Sequence, residues 1–179
     1  MTYFLRDDHV LLKKLSDEDD LDNYLAFIND VENLIWTDVG VFPLNRNDII
    51  KFVSENEGLF LSIYNEKQEH VGNIHLGRIN YYHRNAEIGV ILGKMYHGKG
   101  YAKRSILLVV KHAFEILNLH RIYLTVISEN KPAIKLYEKL GFIKEGIERE
   151  VHYYKFKYYD GIRYCMLKDD YRRLTSSSG

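Results

Sequence analysis

The chain has 179 residues, 46% of them hydrophobic, and a formal net charge of zero at pH 7. Its length suits one domain with a full core, and its balanced charge excludes the basic surface typical of nucleic-acid-binding proteins. The single cysteine, Cys165, excludes an intrachain disulfide and a cysteine-based metal cluster, and we expect it to be a small core residue.

No apolar run approaches the roughly 20 residues of a membrane span, and the N-terminus lacks a signal pattern. We therefore expect a cytoplasmic protein with no membrane partner. A single domain is expected over residues 1–174, followed by a disordered polar tail over residues 175–179.

The first part of the chain predicts a strand followed by a helix. The strand covers His9–Leu15, and Ser16 is a candidate N-cap for a helix whose apolar positions continue to Ile28. The acidic run Asp17–Asp20 fits capping with a solvated face, which we prefer, or a cation-binding patch.

An irregular segment over residues 34–44 follows and is rich in large apolar groups. Trp36, Phe42 and Pro43 fit the wall of a substrate pocket and equally fit a loop that packs on the core. A second short helix comes next, capped by Asn45 or Asn47.

The middle of the chain predicts an antiparallel meander. Leu59–Tyr64 and Val71–Ile79 are strands joined by a polar turn, as in a hairpin. A further polar turn leads to a short apolar strand over Glu87–Leu92. Gly89 and Gly93 flank the end of this strand and indicate a bulge there.

A glycine-rich turn and a long helix follow that strand. The turn is His97–Gly100, whose two glycines allow the backbone to approach a ligand closely. A helix that starts at Tyr101 presents free N–H groups and a positive dipole end, which together form an anion site suited to phosphate. Lys99, Lys103 and Arg104 add positive charge. A plain strand-to-helix connection explains the same residues.

The last third begins with a β-branched strand over Arg121–Ile127, expected to lie parallel to a neighbour through a right-handed crossover. A short helix over Asn130–Leu140, with Asn130 as its candidate N-cap, ends at Gly141, and Phe142 begins a strand.

The chain should end in a hairpin of two strands, Val151–Tyr159 and Arg163–Leu167, around the Asp160-Gly161 turn. Because this hairpin is rich in tyrosine, it is a candidate surface for self-association as a homo-oligomer.

Two segments, YHGKGYAKR and ENKPAIKLYEKLGF, resemble in order and separation the motifs of the GCN5-related N-acetyltransferase (GNAT) superfamily. The first motif of that family is Q/R-x-x-G-x-G/A, and here Met95 stands at the Q/R position. The second is N-x-x-A-x-x-x-Y-x-x-x-G-F, matched by Asn130, Ala133, Tyr137, Gly141 and Phe142. The likeness covers roughly Gly72–Leu167 and is greatest to the bacterial spermidine and ribosomal-protein acetyltransferase branches.

The resemblance implies an α/β domain with a mixed, mostly antiparallel sheet and helices on both faces. The sheet is expected to splay at the acetyl-coenzyme A site, between the Glu87 strand and the Arg121 strand. The implied reaction moves acetyl from acetyl-coenzyme A to a primary amine by direct attack in a ternary complex, without a metal. A polyamine such as spermidine, a protein α-amine and an amino sugar are candidate acceptors. A coenzyme-A-binding sensor without turnover is the alternative.

The family motifs also imply which residues act. Those expected to bind the cofactor are Ile91, Leu92, His97, Gly98, Lys99, Gly100, Tyr101, Ala102, Lys103, Asn130 and Ala133. A backbone N–H near Ile91 or Leu92 would polarise the acetyl carbonyl, and Tyr137 would donate its hydroxyl proton toward the thiolate.

A base is needed because only about one in a thousand lysine-like amines is neutral at pH 7. Glu87 is the first candidate, ahead of Glu129 and Glu148. The structural alternative for Glu87 is an ion pair with Arg84 or with an arginine of the final hairpin.

Overall fold

The computed structural model of the protein describes residues 3–15, 21–30, 36, 42–55 and 57–176. The strands are β1 (Leu5–Arg6), β2 (Val10–Lys14), β3 (Gly58–Asn65), β4 (His70–Asn80), β5 (Asn85–Leu92), β6 (Arg121–Ile127), β7 (Ile143–Tyr154) and β8 (Lys157–Leu167). The helices are α1 (Leu21–Ile28), α2 (Arg46–Glu55), α3 (Tyr101–Glu115), α4 (Lys131–Lys139) and α5 (Lys168–Ser176), with a 3₁₀ helix at Lys94–Tyr96.

Within these residues the strands form one sheet in the order β1-β2-β3-β4-β5-β6-β8-β7. The β5–β6 pair is parallel, because α3 carries the chain back across the sheet between them. The other neighbours are antiparallel. The predicted mixed, mostly antiparallel sheet is confirmed.

The sheet splays between β5 and β6, as predicted. The two strands pair at three positions only, Asn85↔Arg121, Ala86↔Ile122 and Glu87↔Tyr123. Beyond Glu87, β5 continues to Leu92 and pairs with β4 alone. We call the space between the diverging strands the gap.

Helices cover both faces of the sheet, which confirms that expectation. On one face, α3 and α4 pack on a large apolar cluster that includes Ile74, Ile88 and Ile122. On the other face, α1 and α2 enclose a smaller cluster of Leu15, Leu21, Ile28 and Ile49, against which Phe60 packs. Because strand side chains alternate between faces, Ile88 lies on the α3 face and Glu87 lies on the α1–α2 face.

The final hairpin turns at a different place from the predicted one. Its turn residues are Lys155 and Phe156, both with positive φ (46° and 63°), while Asp160 and Gly161 lie inside β8. Gly161 is needed there for packing, since an added Cβ would lie 2.7 Å from the Thr125 side chain. The Asp-Gly signal was misleading because its glycine makes room for a neighbouring strand instead of making a turn.

The last helix, α5, was not predicted, and it includes Thr175 and Ser176 of the expected tail. Its Tyr171 packs on Phe114 with ring centroids 5.3 Å apart and donates a 2.6 Å hydrogen bond to Glu115. The helix is therefore held by contacts with α3 that are distant in sequence. Residues 177–179 lie outside the described residues.

Of the two asparagines considered as the N-cap of α2, Asn45 is the one that caps the helix. Its Oδ1 accepts from the amide of Asn47 at 2.8 Å, and its own amide donates to Asp48 at 2.8 Å. The proposed cap Ser16 and the acidic run after it lie outside the described residues.

Candidate active site

The glycine turn before α3 leaves open space in front of its backbone. Gly98 and Gly100 have φ of +74° and +89°, and an added Cβ on either would meet no atom within 4 Å. The amides at the start of α3, Tyr101 to Lys103, have no acceptor within the helix. The turn therefore fits a diphosphate held by main-chain N–H groups.

The basic side chains around this turn have different roles. Lys99 and Lys103 are exposed, and Lys99 lies over the Tyr96 ring with its Nζ 5.5 Å from the ring centroid. Arg104 is engaged elsewhere, since its guanidinium contacts Asp7 at 3.1 Å. Met95, at the family's Q/R position, is exposed.

Two hydrogen bonds fix which way the β5 amides point. The Gly93 amide donates to Val71 on β4, and the Arg121 amide donates to the Arg84 carbonyl from the β6 side. Backbone groups alternate along a strand, so the Ile91 amide faces β4 and the Leu92 amide faces the gap. Of the two amides considered for polarising a carbonyl, Leu92 is the one directed into the gap.

His97 folds back onto the end of β5. Its Nε2 lies 3.1 Å from the Leu92 carbonyl oxygen, so the ring contacts the strand end beside the gap.

Gly89 in β5 and Gly93 just after it serve packing, and the predicted bulge is wrong. The register with β4 is continuous from Gly77↔Glu87 to Gly72↔Leu92. An added Cβ on Gly89 would lie 2.3 Å from the His75 ring, and one on Gly93 would lie 2.5 Å from the Phe27 ring. The strands separate because β6 diverges from a regular β5.

Asn130 and Ala133 meet at the start of α4. The Asn130 Oδ1 accepts a 3.2 Å hydrogen bond from the Ala133 amide and so caps the helix. This confirms the capping role that was expected alongside a ligand contact.

Tyr137 lies on α4, on the α3 face of the sheet, and is only 7% exposed. Its ring meets Phe142 edge-on at 5.7 Å. Burial raises the pKa of Tyr137 to about 12. Among the described residues its hydroxyl makes no hydrogen bond to a protein group, so the proton remains available to a ligand.

Glu87 lies on the opposite face, at the last residue pair before the gap opens. Its carboxylate contacts the Nε of Arg78 at 3.3 Å. An ion pair was the structural alternative for Glu87, but the partner is neither Arg84 nor an arginine of the final hairpin. Arg78 adopts φ +49° at a register shift in β4, which the sequence did not indicate.

The two weaker candidates for the base lie elsewhere. Glu148 accepts a 2.8 Å hydrogen bond from Arg163 and one from Thr125 at 3.4 Å, so it is already paired. Glu129 is exposed at the turn before α4.

Sequence reasoning missed Arg78 and His75, which share the α1–α2 face with Glu87 on the neighbouring strand. Alternation along β4 would have grouped His75 with Glu87, had the strand register been known.

Of the described residues of the apolar loop, Trp36, Phe42 and Pro43 are exposed, whereas Leu44 is partly buried against the smaller apolar cluster. Trp36 is 45% exposed and Phe42 is 79% exposed, so neither is buried in the core. No group of three or more metal-ligating side chains occurs among the described residues. In the same part of the chain, every helix is too short or too polar to span a membrane.

Comparison with known proteins adds the family. Residues 9–143 match the family model described as an acetyltransferase (GNAT) domain. The spermidine N(1)-acetyltransferase of Vibrio cholerae serotype O1 is 36% identical over 121 residues, which cover 68% of this chain and 70% of the relative. That of Escherichia coli K12 is 39% identical over 103 residues, 58% of this chain and 55% of the relative.

Comparison with solved structures also points to the GNAT family. The spermidine N-acetyltransferase from Vibrio cholerae in complex with CoA and spermine aligns with a TM-score of 0.84 at 28% identity, covering 93% of this chain and 99% of that one. A dodecameric structure of the same enzyme, in an intermediate state, aligns with a TM-score of 0.75 at 30% identity over 92% and 97% of the two chains. With its splayed sheet and glycine turn, this chain belongs to the GNAT family and is an acetyl-coenzyme A-dependent N-acetyltransferase.

Proposed function

We propose that this enzyme acetylates a primary amine by direct attack in a ternary complex, with a polyamine such as spermidine as the first candidate acceptor. The observation that carries the proposal is the gap between β5 and β6, with Glu87 on one face of the sheet and Tyr137 on the other. The similarity to spermidine acetyltransferases supports a polyamine. A protein α-amine and an amino sugar are the alternatives.

Acetyl-coenzyme A supplies the acetyl group as a thioester, and the residues of the glycine turn fit its diphosphate. The amides from Gly98 to Lys103 would hold that group, with charge added by Lys99. The gap-facing backbone of Val90 and Leu92 would pair with the amides of the pantetheine arm as an added strand would. Ile91, His97 and Tyr101 would flank this path, and Asn130 and Ala133 would contact the arm at the start of α4.

Glu87 would attract the acceptor's ammonium group to the mouth of the gap and assist its deprotonation. Tyr137 would donate a hydrogen bond to the departing sulfur. Its pKa of about 12 lies far above an ordinary thiol pKa of about 8.5, so full proton transfer would cost roughly 5 kcal/mol. Tyr137 therefore acts mainly as a hydrogen-bond donor.

Direct attack is supported by the state of the only cysteine. Cys165 is buried in β8, and burial together with the Glu145 carboxylate raises its pKa to about 11. A thiol that stays protonated at neutral pH is a poor nucleophile for a covalent acetyl-enzyme step.

The test is a thiol-release assay with acetyl-coenzyme A and a panel of spermidine, spermine, a peptide with a free α-amine and glucosamine. We expect release with the polyamines at the highest kcat/KM. Release only with the peptide or the sugar would overturn the polyamine acceptor. Coenzyme A binding without release for any amine would favour the sensor.

We further propose that the chain forms a homo-oligomer through the β7–β8 hairpin. β7 is an edge strand of the sheet, and Phe156 at the tip is 95% exposed, with Tyr153 and Tyr158 exposed beside it. The dodecameric relative supports self-association. Light scattering of Phe156→Asp should give a smaller assembly than the wild-type chain, and an unchanged mass would contradict this surface.

A further inference from the structure

Resting on the proposed function, we infer that His75 is the group that takes the proton from the attacking amine, while Glu87 holds the amine's positive charge. The imidazole lies beside Glu87 on the α1–α2 face of the sheet, packed between two neighbours, and its nitrogens bond to no protein group among the residues that the structure describes.

The strand register places His75 next to Glu87. On β4, His75 is opposite Gly89, and Gly77 is opposite Glu87. Residues two apart on a strand share a face, so the imidazole and the Glu87 carboxylate both lie on the α1–α2 face. Both are close to the point where pairing with β6 ends.

The ring is held from two sides. It stacks on Phe60 of β3, with centroids 5.8 Å apart and planes 15° from parallel. On its other side it covers Gly89, where an added Cβ would lie 2.3 Å from the ring Cε1. Because Gly89 has no side chain, the imidazole can extend from β4 over β5, in the direction of the gap.

The ring nitrogens of His75 form no hydrogen bond with any protein group in the described part of the chain. His70 on the same strand differs, since its Nε2 lies 3.1 Å from Asn73 Oδ1. A partly buried imidazole without a partner retains both its donor and its acceptor for a ligand.

Charges around His75 favour its neutral form. Burial and the Arg78 guanidinium lower its pKa below the ordinary value of 6.5. The Arg78 guanidinium also contacts the Glu87 carboxylate, whose side chain is 24% exposed and so remains open to an ammonium group. The neutral ring has a lone pair at pH 7, which is what a proton acceptor requires.

His75 takes one proton from the ammonium group that Glu87 holds, and water carries that proton to bulk. The neutral nitrogen then bonds to the acetyl carbon, the carbon–sulfur bond breaks and its electron pair stays on sulfur. The nitrogen loses its second proton to His75, and the sulfur, stabilised by a hydrogen bond from Tyr137, takes up one proton from the imidazolium through water. The acceptor becomes an amide, coenzyme A leaves as a thiol, and one proton in total is released.

The decisive variant is His75→Phe, which retains a ring of similar shape for the stack on Phe60. We expect kcat/KM for spermidine to fall about a hundredfold or more, with coenzyme A affinity unchanged in calorimetry. His83→Phe, in the exposed β4–β5 turn, is the matched control and should retain wild-type activity. A folded His75→Phe with wild-type kcat/KM would show that the ring only packs.

Two further measurements test the His75 assignment if the His75→Phe protein does not fold. Added imidazoles should restore turnover to His75→Ala in proportion to their basicity, and no restoration in a folded protein would contradict the assignment. Without coenzyme A, spermidine should shift the ¹⁵N signals of the His75 ring but not those of His83, and unmoved His75 signals would also contradict it.

The proposed function can fail separately from this inference. A wild-type chain that releases no thiol with any amine overturns the proposed function and the His75 assignment with it. An active wild type with an equally active His75→Phe overturns the His75 assignment alone.

Discussion

The Tyr137 hydroxyl is the best-isolated proton donor of the site, because its ring is buried against Phe142 and its proton has no protein acceptor among the described residues. Tyr137→Phe removes one oxygen and leaves the packing in place. We expect kcat to fall by about ten- to a thousandfold, with nearly unchanged coenzyme A affinity in calorimetry. An unaltered kcat would remove Tyr137 from the mechanism.

Cys165 tests whether an acetyl-enzyme forms. Because its thiol is buried and its pKa is raised to about 11, we expect Cys165→Ala to retain kcat within about threefold. Initial-rate kinetics should show intersecting lines, as for a ternary complex. Parallel lines, or an acetyl group found on Cys165 by mass spectrometry, would contradict direct attack.

At the residue scale, prediction from sequence succeeded where a motif fixes local geometry. It failed where contacts distant in sequence determine the partner of a side chain. The cap formed by Asn130 was predicted because it depends on neighbours in sequence. The Arg78–Glu87 ion pair was not, because it needs the register of two strands and a left-handed residue at an irregular position.

At the scale of elements, the turn from β5 into α3 is the most testable. Gly98→Glu would place a carboxylate in the space in front of the α3 amides and force a side chain onto a residue with φ +74°. We expect coenzyme A binding to be lost in calorimetry.

The control for this substitution is Gly146→Glu on β7, which adds the same charge where a Cβ also meets nothing within 4 Å. It should bind coenzyme A as the wild type does. Normal binding by a folded Gly98→Glu would show that the diphosphate lies elsewhere.

The elements themselves were predicted unevenly. The β3–β4–β5 meander and α3 follow from apolar periodicity, which is local. The final turn was misplaced because Lys155 and Phe156 take left-handed conformations without glycine. Helix α5 was missed because its packing on Phe114 and Glu115 involves residues far away in sequence.

At the scale of the whole molecule, several titrating groups act on stability in the same direction. Burial lowers the pKa of His112, and burial with Arg78 lowers that of His75, both from 6.5. For Asp7, burial acts to raise the pKa, but hydrogen bonds from the amides of His9 and Val10, together with the Arg104 guanidinium, outweigh it and the net change is downward.

The direction of the pH effect on folding stability follows from proton binding. Each of these groups binds a proton more readily in the unfolded chain than in the folded one, so acid favours unfolding. The histidine contribution is present above pH 6.5 and is lost as pH falls below it, and the Asp7 contribution is lost below about pH 4. We expect the thermal midpoint to decline from pH 7 to 5 and again below pH 4. A midpoint that is flat or rising from pH 7 to 5 would contradict this.

The strand end at Val90 and Leu92 has a consequence for the lifetime of the enzyme. Its gap-facing N–H groups lack a β6 partner, and the acetyl donor would supply the missing acceptors. Scarcity of the donor would therefore leave a larger fraction of molecules open to proteases, while abundance would preserve them. The amount of this enzyme in a cell would then rise and fall with the concentration of acetyl-coenzyme A, without a dedicated regulator.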